Sequence, residues 1–274
     1  MKFRRVIIID IASLGLGATA DADRFNSTGA DTLGHLDQHF HSTLKLPTLT
    51  QLGLGNIRAD HPVKSVPAVD HPWGFFGSLI NRVQDNTPNA GIREMLDIDM
   101  HCRIIGVLNE LIRRNFSVTV ISPLENYLID QDWAKQIQAS DDDMAYSQLM
   151  VQLKTLEQGL IYFQPPVIRR DAYQHQMRGY KANLEVMDKQ LGILFEKLDP
   201  TDMVIVTSSF ANDPTFDQQY TREKLPLLIY SPAYQNGKSI GDNHYAGDIG
   251  KTIIDIFKRH SNTKFAHSLL PLIG

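Results

Sequence analysis

Met203-Val-Ile-Val-Thr-Ser-Ser-Phe-Ala-Asn-Asp-Pro-Thr215 passes without a break from an apolar, β-branched run into a loop of small and polar residues. Residues 203–207 have the length and composition of a strand. Residues 6–11, 117–121, 160–163 and 225–230 are runs of the same kind. Between these runs, residues 104–114 and 144–156 carry helical spacing. Tyr180, Leu184, Met187, Leu191, Leu194 and Leu198 recur at intervals of three and four, the stripe of a long core-facing helix. Strands alternating with helices predict an α/β fold, with a mostly parallel central sheet and helices on both faces.

Polar punctuation fills in the rest. Asp248 precedes an apolar helix pattern and reads as its N-cap. Asp141-Asp-Asp143 is expected to open a helix at the positive end of its dipole. Stretches 59–69, 83–89 and 234–244 are rich in Pro, Gly, Asn or Asp and are predicted to be irregular.

The chain has 274 residues, 42% of them hydrophobic, and a net charge of −4. One domain spanning 1–274 is expected, with no broad basic surface for nucleic acid. The only cysteine, Cys102, permits no intramolecular disulfide, which fits a cytoplasmic location. The basic start and the small residues Ala18-Thr-Ala20 imitate a secretory signal. Asp10 interrupts the apolar run, however, so residues 6–11 are expected to be a buried first strand. No run of about eighteen apolar residues is present to span a bilayer.

The loop 207–215 and the following Tyr220-Thr-Arg-Glu223 resemble the phosphopentomutases of the alkaline phosphatase superfamily. In that family the first segment reads T-A-D-H-G-N-D-P-T and the second D-H-T-R-E, with acidic and histidine ligands for catalytic manganese. Here Ser209 and Phe210 stand at the first Asp-His, and Gln219 and Tyr220 at the second. A phenyl ring offers a metal no lone pair, and hard divalent ions need carboxylate or imidazole donors.

The resemblance extends over most of the chain. Gly29-Ala-Asp-Thr-Leu-Gly-His35 and Leu44-Lys-Leu-Pro-Thr-Leu-Thr-Gln-Leu-Gly-Leu-Gly-Asn-Ile57 match the family nearly residue for residue. Elsewhere the functional positions are replaced. The ligand Asp of the first strand falls on Ala12, with Asp10 two residues earlier and about 7 Å away. The phosphorylated Thr falls on Pro88, beside Thr87; with no base evident in the sequence near it, Thr87 lacks the activation a nucleophile requires. A family Lys falls on Pro123, and a further ligand Asp and His fall on Phe163 and Ile168. The family's cap domain, which helps hold the sugar, has no counterpart near residues 95–103 and is expected to be deleted.

The resemblance therefore implies a protein without catalytic residues, metal or other cofactor, acting by binding a phosphorylated small ligand or a protein partner, a second copy included. Two alternatives stand beside it. One is a divergent phosphotransferase or phosphatase with a relocated metal, built on Asp10, Thr87, Asp213 or the cluster His35, His39 and His41. The other is a structural subunit of a hetero-oligomer. Arg169, Arg170 and Arg222 are candidates for gripping an anion if they converge. Asn212, Asp213, Thr215, Thr221 and Glu223 are expected to shape loops through hydrogen bonds. With the cap gone, Trp73, Phe75, Phe76, Phe210 and Tyr220 are expected on an exposed or partner-covered top face.

Overall fold

The computed structural model describes residues 3–96, 106–123, 135–217, 220–258 and 266–274. Eight strands form one sheet: β1 (Arg5–Asp10), β2 (Phe75–Ile80), β3 (Ser117–Ile121), β4 (Lys135–Ile137), β5 (Gly159–Phe163), β6 (Asp202–Thr207), β7 (Leu225–Tyr230) and β8 (Ser239–Tyr245). Their spatial order is β4-β3-β5-β1-β6-β7-β2-β8. Every adjacent pair is parallel except the two made by β7, which runs antiparallel to β6 and β2.

Helices cover both faces: α1 (Thr32–His39), α2 (Pro47–Leu52), α3 (Leu54–Ile57), α4 (Pro88–Leu96), α5 (Val107–Arg113), α6 (Asp142–Thr155), α7 (Pro166–Tyr173), α8 (Met177–Phe195), α9 (Ala246–Lys258) and α10 (Leu270–Ile273). Strand side chains alternate between the faces, which makes two cores. Val6, Ile8, Leu160, Tyr162, Met203 and Ile205 face the helices α4, α5 and α9. Ile7, Ile9, Ile161, Phe163, Val204 and Val206 face α1, α2, α6, α7 and α8. Strands buried on both sides read as continuous apolar runs for this reason.

The first strand is interior, with Val6 to Ile9 fully buried, as an integral part of the sheet must be. Its entry is fixed by Arg5, which is paired in register with Asp202 at the start of β6. The Arg5 Nε donates to Asp202 Oδ1 and its Nη2 to Oδ2, both at 2.6 Å.

Two local expectations are corrected. Stretch 234–244 is not wholly irregular, because β8 occupies residues 239–245 as an edge strand. Asp248 is not the N-cap of α9 but lies in its first turn and reaches back to accept the Tyr245 N–H at 3.1 Å. The same carboxylate accepts the His267 N–H at 2.7 Å. Asp141 does cap α6, accepting from Met144 N. Among the described residues no helix is long and apolar enough to cross a membrane.

Candidate functional site

In a mostly parallel sheet the strand ends at the carboxyl side gather the loops that carry chemistry. Here those ends are occupied by a buried hydrogen-bond network. Asp10, the last residue of β1, is fully buried. Its Oδ2 accepts from the Tyr162 hydroxyl at 2.5 Å and from Gln164 Nε2 at 2.8 Å. Its Oδ1 accepts the backbone N–H of Ser209 at 2.8 Å. Tyr162 reaches Asp10 because β1 and β5 pair with Ile8 opposite Tyr162. Burial pushes the Asp10 carboxyl above its usual range, against the opposing pull of these hydrogen bonds. Burial, with the Asp10 charge behind it, raises the Tyr162 phenol further.

Four of the positions where the resembling enzymes carry ligands hold side chains without a donor atom, and a fifth holds only the Ser209 hydroxyl. Ala12, Phe163, Ile168, Ser209 and Phe210 are all buried. Phe210 stands edge-on to Tyr220, ring centres 5.6 Å apart, and Tyr220 lies 6.3 Å from Tyr173. Pro123 is exposed just past β3, and Gln219 lies outside the described residues. Among the described residues no group of three or more His, Cys, Asp or Glu side chains is arranged to hold a metal. The donor set therefore does not fit manganese: the Asp10 carboxylate already accepts three hydrogen bonds, and most of the former ligand positions carry apolar side chains.

Pro88 has an ordinary structural role as the first residue of α4, where its missing N–H costs nothing. Thr87 precedes it and donates its hydroxyl to Asp85 Oδ2 at 3.0 Å. A carboxylate thus does lie within reach of Thr87, contrary to the sequence reading. Both residues are exposed, and Asp85 also accepts the Thr87 N–H at 2.8 Å, the geometry of a local turn. Helix α4 still touches the loop after β6: a Cβ at Gly91 would meet the Ser209 carbonyl oxygen at 1.8 Å, so only glycine fits.

The retained polar residues weld loops together. Glu223 accepts from Thr32 N, Thr32 Oγ1, Thr221 Oγ1 and Gly17 N at 2.6–3.1 Å. Its carboxylate packs so closely on Gly15 that a Cβ there would lie 2.1 Å away. Asp213 accepts from Asp31 N, from Thr215 N and from Thr215 Oγ1. Its Oδ2 also lies 2.6 Å from His35 Nδ1, with Thr215 Oγ1 3.1 Å from the same nitrogen. Sequence reasoning placed His35 in a histidine cluster and missed this partner, because 178 residues separate the two.

His39 instead stacks edge-on against Phe40, and His41 occupies a left-handed turn at φ 51°. His35 lines an open groove of about 550 Å³, together with Arg58, His61 and Lys64. Asp31 and Arg58 are ion-paired within the same lining.

Of the three candidate arginines, Arg222 is committed. It pairs with Asp21 at 2.9 Å, donates to the carbonyls of Asn81 and Val83, and lies 4.6 Å over the Phe25 ring. The same guanidinium holds the Asp21 carboxyl below its usual range. Arg169 lies 5.8 Å over the Phe210 ring, and Arg170 is exposed on the same helix.

The expected aromatic top face is not assembled. Phe75 and Phe210 are core residues, and Phe76 and Tyr220 are half-buried. Trp73 is 46% exposed but precedes β2, at the amino end of the parallel strands, away from Asp10.

The Metalloenzyme superfamily model matches residues 135–260, which contain β4 to β8 and α9. A phosphopentomutase of Levilactobacillus brevis is 23% identical, over 98% of this chain and 99% of its own length. That alignment spans 398 positions, many more than the 274 residues of this chain. A phosphopentomutase of Alkaliphilus metalliredigens is 24% identical, over 92% of this chain and 95% of its own. The fold matches a crystal structure of an alkaline phosphatase superfamily protein from Vibrio parahaemolyticus, with a TM-score of 0.59 at 12% identity over 98% of this chain and 70% of that one. Over nearly its full length the chain is therefore phosphopentomutase-like in sequence, and its fold is similar to that of an alkaline phosphatase superfamily protein.

Proposed function

We propose that this protein is a catalytically inactive relative of the phosphopentomutases that acts by binding rather than by turnover. The observation carrying this reading is the buried network at Asp10. The loop bearing Ser209 and Phe210 is anchored to β1 by a carboxylate–amide hydrogen bond rather than through a shared ion. With the apolar Phe163, Ile168 and Phe210 at positions where the resembling enzymes carry ligands, the chain has neither the donors nor an activated nucleophile that phosphoryl transfer requires. The long unmatched portion of the phosphopentomutase alignment supports loss of a sugar-holding cap as well. What it binds is a phosphorylated small molecule, drawn to Arg169 and Arg170, or a protein partner, a second copy among the choices. Loss of the metal leaves such a fold free to serve in the cytoplasm as a recognition subunit.

Calorimetric titration with manganese and zinc, run beside an assay of ribose 1-phosphate isomerisation, tests the reading. No stoichiometric metal and no turnover are expected. A tightly held manganese ion with isomerase activity overturns it. Co-purification from the native host then separates the two kinds of ligand.

One observation favours a second reading, a metal-free hydrolytic site. The buried Asp213 orients the His35 ring at the edge of a groove, an arrangement suited to general base chemistry. Phosphoester hydrolysis that disappears in His35→Ala with the fold intact would establish it in place of the first.

A further inference from the structure

At the amino end of the parallel strands, the end away from Asp10, lies a pocket of about 370 Å³. Trp73, Phe195, Tyr230 and Tyr234 line it, so four aromatic rings surround one small volume. Thr48, Gly192 and Gln235 contribute no charge, and among the described residues the only charged side chain in the lining is Glu196. Among the described residues Glu196 forms no salt bridge, so its carboxylate is not neutralised by a neighbouring side chain.

The walls are held in place before anything binds. Tyr230 packs against Phe195 with ring centres 4.5 Å apart. Tyr234 stands edge-on to Phe75 at 5.0 Å. The backbone beside the indole is clamped from both sides: Trp73 N donates to the Gln51 carbonyl at 2.7 Å, and Gly237 N to the Pro72 carbonyl at 2.9 Å. Gly74 and Gly237 are in such close contact that a Cβ on Gly237 would lie 1.8 Å from the Gly74 oxygen. A tryptophan on so fixed a backbone, yet 46% exposed, presents a large π surface at little further entropic cost to a ligand. Gly192 keeps the α8 side of the pocket open, because it carries no side chain to fill it.

Aromatic faces carry negative quadrupolar potential, and a carboxylate at the rim adds to it. A neutral apolar ligand would use the rings and gain nothing from Glu196. An anion would be repelled by both. A compact cation bearing apolar groups uses every feature of the lining at once. We propose that this pocket is a binding site for a small alkylated ammonium ion of the quaternary type, held by the rings of Trp73, Tyr230 and Tyr234 with Glu196 as counter-charge. The site is independent of the reading given to the Asp10 centre.

Choline and tetramethylammonium chloride are the probes, titrated against the full chain by calorimetry and by tryptophan fluorescence at constant ionic strength. The neutral isostere 3,3-dimethylbutan-1-ol provides the control. Saturable binding of choline is expected, at least about tenfold tighter than the isostere. Trp73→Ala is expected to weaken choline by about tenfold or more, and Trp73→Phe to restore much of it. Glu196→Gln should weaken choline several-fold while leaving the isostere unchanged, a difference a merely structural role would not produce. Circular dichroism of each variant, unaltered because both side chains are exposed, separates binding from folding. Absence of saturable choline binding up to about 50 mM, or equal affinity for the neutral isostere, overturns the proposal.

Discussion

The Asp10 carboxylate accepts the Ser209 N–H at 2.8 Å, and this bond joins the end of β1 to the loop that follows β6. Where the resembling enzymes carry metal ligands on both segments, here the connection is made within the polypeptide. A single oxygen pair satisfies three buried donors, from Tyr162, Gln164 and Ser209. Removing it leaves the Tyr162 hydroxyl and the Ser209 N–H without this acceptor and Gln164 Nε2 with only the Tyr162 oxygen at 3.2 Å, and unpaired buried donors are costly.

Asp10→Ala is therefore expected to destabilise the fold by about 3–5 kcal/mol, within the range for breaking a buried polar network. Asp10→Asn, which keeps an acceptor but also turns a donor toward the cluster, should cost less, about 1–3 kcal/mol. Urea unfolding followed by circular dichroism measures both. Near-wild-type stability of Asp10→Ala would show that the network is incidental.

How much of this was legible in the sequence depends on where each residue sits. Strands β1, β3, β5, β6 and β7 are interior, so their side chains are apolar on both faces and their runs announce themselves. Strand β8 lies at the edge, and Ser239-Ile-Gly-Asp-Asn-His-Tyr245 has only Ile240 buried, so nothing in its pattern separates it from a loop. The replaced ligand positions were readable one by one, because each is a side chain that lacks a donor. The network that took their place was not, because Tyr162 and Asp10 meet only through the register of two strands 152 residues apart. The pairing of His35 with Asp213 was hidden in the same way.

Arg5 and Asp202 make the corresponding bond at the opposite end of the same strands. Arg5 also donates to the carbonyls of Leu153 and Leu156, so its planar fork gathers β1, β6 and the end of α6. Hydrogen bonding to Asp202 raises the guanidinium above its ordinary range. Asp202→Ala is expected to cost about 3–5 kcal/mol, because it removes the two-pronged buried partner of a largely buried cation and leaves only the exposed Asp199 as counter-charge. Arg5→Lys, which loses the two-pronged geometry, should cost about 2 kcal/mol. A double-mutant cycle by chemical denaturation gives the coupling, and additive effects would show that the two residues act separately.

Ser13 is buried and adopts φ 93°, a conformation that side chains with a Cβ rarely tolerate. It is held there by backbone bonds on both sides, from its own N–H to the Phe210 carbonyl and from Asn212 N to its carbonyl, each at 3.0 Å. Ser13→Gly should relieve the strain and raise stability by about 1 kcal/mol, the entropy lost by glycine offsetting part of the gain. Ser13→Ala keeps the strained conformation and should not stabilise. Thermal unfolding of the two variants distinguishes them, and equal effects would mean that the backbone here carries no strain.

The last expectation concerns pH. Asp142 lies in the first turn of α6 and accepts the Val167 N–H at 2.7 Å. Burial pushes its carboxyl up to about 6 from the ordinary 3.8, Asp171 adding to the rise and Arg170 opposing it. A carboxyl raised on folding favours the folded state most while it holds its proton. Its contribution is full below about pH 4 and is lost as the pH climbs through about 6. Partial exposure reduces the size of the effect, which is expected to be about 1–2 kcal/mol. Asp142→Asn has no proton to lose. Its stability relative to the wild type should rise by that amount between about pH 4 and 6.5 and stay level above. Urea titrations at half-unit intervals read the difference directly, and parallel curves for the two proteins across this window would place the Asp142 carboxyl in ordinary solvent-like surroundings.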